Sequence, residues 1–95
     1  MKTLLLSIIW NEEKLINLFV KYYRQVVDKF IFIDYGSTDK TLEIIRNSGI
    51  AFEFVTGKWN GEYDEREVTE IKNTFWIKYR DNYDWIIVVD IDEFL

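Results

Sequence analysis

From Trp85 to Val89 every side chain is apolar, and Leu4 to Ile9 is nearly as unbroken. A strand with one face in water alternates apolar and polar residues. A run without alternation needs cover on both faces, which a parallel sheet flanked by helices supplies. Phe30 to Ile33 reads as another such strand. Ala51 to Val55 is shorter and more polar, as suits a sheet edge. No proline interrupts these runs, because the chain contains none.

The segments between them carry helical signals. Asn11 is an N-cap type of residue, with Glu12 and Glu13 placed for a helix's positive end. Leu15, Leu18, Phe19, Tyr22, Tyr23 and Val26 then form one apolar stripe at helical spacing. Asp34-Tyr35-Gly36-Ser37-Thr38-Asp39 is turn-rich, and its hydroxyls and Asp39 are suited to cap a second helix carrying Leu42, Ile44 and Ile45. Asn47-Ser48-Gly49 reads as a stop, with Gly49 available for a left-handed cap. Asp64 to Glu67 has capping-box spacing, and Val68, Ile71, Phe75 and Tyr79 mark a third helix of about four turns. Strand and helix thus alternate from end to end, the pattern of right-handed crossovers that builds an α/β domain. At 95 residues the chain is one small domain, without repeat or linker.

In such a sheet, ligands sit beyond the carboxyl ends of the strands, where strand order reverses. Polar clusters stand at three of those ends: Asn11 with Glu12, Asp34 to Asp39, and Asp90 to Glu93. The chemistry open to them is narrow. The chain has neither Cys nor His, which excludes within it a Ser-His-Asp triad, a thiol nucleophile, a thiolate or imidazole zinc site and a disulfide. A net charge of -5 without a basic run argues against nucleic acid or an anionic membrane surface as partner. What is left is carboxylate chemistry and hard, oxygen-loving cations. The opening Met1 to Trp10 imitates a signal peptide but lacks a small-residue cleavage site and runs into Asn11-Glu12-Glu13-Lys14, so it reads as the first strand. No apolar stretch approaches a membrane span, and a soluble, cytoplasmic protein is expected.

Asp90 and Asp92 flank Ile91 directly after the last strand, so in extended geometry they point the same way and can share one cation. Mg²⁺ or Mn²⁺ suits such a pair, since these ions keep waters and bridge to substrate phosphates. A solvated acidic terminus accounts for the same residues. A turn and cap account for Ser37 to Asp39, whereas Asp34 stands at the strand end, where a carboxylate can accept hydrogen bonds from a base or ribose. Asn11 and Glu12 are adequate as a cap, and Lys72-Asn73 as a polar helix face. Trp10 and Trp59 fall in loops near the expected crevice, either of them a surface on which a base can stack.

In order and spacing, Asn11-Glu12-Glu13, Asp34 to Thr41, Lys72-Asn73 and Trp85 to Leu95 resemble the N-terminal half of a family 2-type glycosyltransferase with the GT-A fold. Lys40, following the Asp-Gly-Ser-Thr-Asp type of turn, departs from that pattern. The resemblance implies a Rossmann-like three-layer α/β/α sandwich with a four-stranded parallel sheet of order 3-2-1-4, and makes residues 1–95 the donor-binding part. It implies a nucleotide-sugar donor, with a UDP-sugar first among candidates, contacted by Asn11, Glu12, Asp34, Lys72 and Asp90. It further implies Mn²⁺ or Mg²⁺ held by Asp90 and Asp92. The catalytic base of inverting members belongs to an acceptor half beyond these residues, so the resemblance implies donor binding without transfer by this part alone. It also leaves the fourth strand as an apolar sheet edge through which two copies can associate. A receiver-like Mg²⁺-binding signalling domain and a non-catalytic interaction module are the alternatives. A receiver's paired acids follow its first strand, however, where this chain has Trp10-Asn11-Glu12.

Overall fold

Alternation along one strand sets the architecture. In β1 (Thr3–Ile9), Leu5 and Ile9 enter one apolar cluster, whereas Leu4 and Leu6 enter another. The computed structural model describes residues 2–56 and 65–92. Within them β1 is followed by α1 (Ile16–Tyr23), β2 (Lys29–Asp34), α2 (Thr41–Arg46), β3 (Phe52–Thr56), α3 (Glu65–Thr74), a 3₁₀ segment (Phe75–Tyr79) and β4 (Trp85–Val88). All strand pairs are parallel, and the order is β3-β2-β1-β4. The expected Rossmann-like α/β sheet of order 3-2-1-4 is therefore the observed one.

Helix placement follows from that order. The connections through α1 and α2 step the sheet one way and the connection through α3 returns it past β1, so right-handed crossovers put α3 on the opposite face. Ile16, Phe19, Val20 and Tyr23 of α1 and Ile45 of α2 cover Leu5, Ile9, Phe30 and Phe32. On the other side Leu4, Leu6, Ile31 and Ile33 lie under the 3₁₀ segment and α3, chiefly Phe75, Trp76, Tyr79, Val68 and Ile71. Full burial of one such apolar side chain contributes about 1.5–3 kcal/mol, so these two faces supply most of the stabilisation.

Register is pinned at the amino ends of the strands by carboxylates. Asp28 accepts the Thr3 N–H (2.7 Å) and returns its own N–H to the Thr3 carbonyl (2.8 Å). Asp84 does the same with Lys2, at 2.7 and 2.8 Å. Both flanking strands are thereby clamped to the start of β1. Leu5 then sits beside Phe30 and Ile87, and Ile9 beside Asp34.

Three expectations need correction. The buried stripe of α1 is Ile16, Phe19, Val20, Tyr23 and Val27, whereas Leu15, Leu18, Tyr22 and Val26 are exposed, Leu18 at 57%. Apolar residues are dense enough between positions 15 and 27 to give two overlapping helical stripes, and the direction in which β1 delivers the chain selects between them. Asn11 does not cap α1. It takes a left-handed conformation (φ 49°), and the helical hydrogen bonds begin at the Glu12 carbonyl, which accepts the N–H groups of Leu15 and Ile16. The third helix tightens to 3₁₀ geometry at Phe75 instead of running four α-turns. β4 is an edge strand, yet both of its faces are covered as expected, Ile87 packing on the α1 side and Ile86 and Val88 on the side of the 3₁₀ segment, while Trp85 at its start is 61% exposed. Gly49 adopts the left-handed conformation expected of it, at φ 82°. Trp59, Asp64 and Glu93 lie outside the described residues.

Candidate functional site

The loops after β1 and β2 are joined by two parallel relays, each of carboxylate, hydroxyl and backbone amide. Asp34 Oδ1 accepts the Ser37 hydroxyl at 2.6 Å, and Ser37 Oγ accepts the Asn11 N–H at 3.0 Å. Asp39 accepts the Thr41 hydroxyl, and Thr41 Oγ1 accepts the Glu12 N–H at 2.7 Å. Asn11 closes the junction from the other side, its Oδ1 accepting the N–H groups of Thr38 (2.8 Å) and Asp39 (3.3 Å). Asp39 also accepts the Thr41 N–H at 2.9 Å, a turn just ahead of α2 and not the cap expected of it, since the N-cap is Lys40 and carries no side-chain cap bond. Burial pulls the Asp39 carboxyl upward, but the hydroxyl and N–H of Thr41 and the N–H of Glu13 outweigh it and leave the group below its ordinary 3.8.

This interlocked pair of loops forms one wall of a crevice of about 470 Å³, within the size range of small-molecule sites. It opens at the carboxyl ends of β1 and β4, where the strand order reverses. Ile8, Ile9, Trp10, Glu12 and Leu15 line it from the first crossover, Tyr35 from the end of β2, Val68 and Lys72 from α3, and Asp90, Ile91 and Asp92 from the exit of β4. Sheet parity explains the far wall. Ile86 and Val88 face α3 while Val89 and Ile91 turn into the α1 side, so Asp90 continues the row that faces α3. There Lys72 Nζ lies 2.5 Å from Asp90 Oδ1.

Of the residues expected at a site, Glu12, Lys72, Asp90 and Asp92 therefore share one crevice, with Trp10 at its rim. Asn11 and Asp34 stand beside it, their polar atoms engaged in holding the loops together. Asp90 and Asp92 do meet on one cavity, but by a different geometry from the one expected. The strand ends at Val88 and residues 91 and 92 turn, so the pair is not extended. Tyr35 and Val68 belong to the apolar wall and were not singled out for the site, although Tyr35 continues the alternation of Ile31 and Ile33 and was legible on that ground.

The crevice is electrostatically negative. Burial holds the Glu12 carboxyl above its ordinary 4.5, and the charges of Asp92, Asp39 and Asp90 push it the same way. Among the described residues no three acidic groups converge closely enough to enclose a metal ion. The oxygen-only pair Asp90 and Asp92, in a field that already resists the ionisation of Glu12, nonetheless fits a hard divalent cation that completes its shell with water and phosphate. Comparison with protein-family models and with curated proteins returned no match. Among the described residues no helix is long and apolar enough to cross a membrane.

Proposed function

We propose that the crevice binds a nucleoside-diphosphate sugar, and that the chain is the donor-binding part of a metal-dependent glycosyltransferase of the family 2 type. The observation that carries this reading is the gathering of Glu12, Lys72, Asp90 and Asp92 around one apolar-floored crevice at the switch point of the sheet. Trp10 offers a half-exposed ring for stacking a base. Lys72 brings the cationic head that a diphosphate requires. Asp34 and Asn11 set the loop against which the base and ribose rest. A Mn²⁺ or Mg²⁺ ion held by Asp90 and Asp92 would supply Lewis-acid neutralisation of the charge on the departing nucleoside diphosphate. Donor binding is assigned to these residues, and no catalytic base is named among the described ones. A UDP-sugar is the first donor to test, and the edge of β4 around Trp85 is where self-association would run.

Strand order favours this reading over a receiver-like domain, because receivers are built on a sheet of order 2-1-3-4-5, whereas here β2 separates β1 from β3. A backbone amide NMR titration with UDP, with and without Mg²⁺, tests it. Metal-dependent shifts at Trp10, Glu12, Lys72 and Asp90 to Asp92 are expected. A folded sample with no shifts at millimolar ligand would leave a non-catalytic interaction module as the better account.

A further inference from the structure

Among the described residues, Lys72 is the one cationic side chain lining a crevice that also holds the carboxylates of Glu12, Asp90 and Asp92. It does not stand apart from them. Its ammonium lies on Asp90, the residue the proposed cation would need, with the two side chains 32% and 45% exposed. We infer that Lys72 is a resident counter-cation for Asp90, released only when an anionic ligand enters the crevice, so that divalent cation and diphosphate bind together and the cation binds poorly alone. This inference rests on the donor-site reading above.

Three physical points support it. A lysine side chain is a point charge on a flexible four-carbon stem, and here it starts from a helix on the crevice wall, so its head can leave Asp90 without leaving the cavity. A divalent cation approaching alone must break the pair and also leave an ammonium beside itself, two unfavourable changes with no compensating anion. A diphosphate arriving with the cation reverses both, because it offers the displaced ammonium new oxygen partners. The pair is partly exposed and hence readily exchanged, which suits an exchangeable contact better than a structural one.

The test is Mn²⁺ binding, followed by electron paramagnetic resonance, to the 95-residue chain and to its Lys72→Gln and Lys72→Arg variants, with and without UDP. Amide spectra recorded on each verify the fold. Without nucleotide, K72Q should bind Mn²⁺ about fivefold tighter than wild type, the scale of a partly exposed pair. K72R should bind it more weakly than wild type, because a guanidinium holds a carboxylate through two hydrogen bonds. With UDP present the order should invert for K72Q, which has no cation to give the diphosphate. Equal Mn²⁺ affinity in all three proteins, or equal affinity in K72R and wild type, overturns the exchange while leaving the donor site standing if wild type still binds Mn²⁺ with UDP. Failure of wild type to bind that combination overturns the donor-site reading and this inference with it.

Discussion

Asn11 Oδ1 accepts the Thr38 N–H at 2.8 Å, so the loop that leaves β1 is tied to the loop that leaves β2 by a residue whose own backbone is left-handed. Asparagine tolerates that conformation better than other side-chain-bearing residues, which is why one residue can make the bend and the bond together.

Asn11→Ala should therefore destabilise the domain by about 2–3 kcal/mol, combining a strained φ with the lost hydrogen bonds to Thr38 and Asp39. Asn11→Gly relieves the strain but not the loss and should cost about 1 kcal/mol. Urea unfolding of both variants checks the order. An alanine variant as stable as the glycine variant would show that the backbone conformation contributes nothing.

The corrected phase of α1 separates two neighbouring residues. Phe19 is fully buried against the sheet and Leu18 is 57% exposed. Phe19→Ala should cost about 3–5 kcal/mol, whereas Leu18→Ala should stay within about 0.5 kcal/mol. Comparable losses at both positions, measured by chemical denaturation, would restore the stripe first expected from the spacing.

Glu12 and Asp39 should shift stability with pH in opposite directions. Glu12 keeps its proton to higher pH in the fold than in the unfolded chain, so stability falls as pH rises from its ordinary 4.5 through the raised folded value. Glu12→Gln should then be more stable than wild type near neutral pH, with the difference closing below pH 4.5. Asp39 is held below its ordinary 3.8, so its contribution is present above that value and lost as pH falls through the lower one. Asp39→Asn should be the less stable protein at neutral pH and converge on wild type in acid. Thermal unfolding across pH with a chelator present measures both, and the same sign for the two variants would contradict the assignment.

At Gly49 the constraint is conformational. Its φ is 82°, and an added Cβ would meet only the far end of the Arg24 side chain, at 3.9 Å. Gly49→Ala should cost about 1–2 kcal/mol from backbone strain. Gly49→Asn should cost less, since asparagine enters the left-handed region more readily. Equal losses in the two, read from thermal denaturation, would point to packing instead.

Much of this was legible in the chain itself. Unbroken apolar runs such as Leu4 to Ile9 specify buried strands, and the helical segments between them impose crossovers whose handedness leaves few topologies open. Strand ends carrying Glu12, Asp34 and Asp90 marked one edge of the sheet as the place for a site, because sequence position along a strand is also position across the sheet. What the tertiary structure alone decided was which groups face each other. Leu18 and Phe19 fit equally good helical stripes, and only the path from β1 into α1 buries one and exposes the other. Asn11 has the composition of a cap, yet its side chain serves a loop 27 positions away. Lys72 and Asp90 belong to different elements and come within 2.5 Å because sheet parity turns Asp90 toward α3. Periodicity is a local property and survives in the sequence; partnership between side chains depends on the relative placement of elements, which exists only once the sheet is assembled.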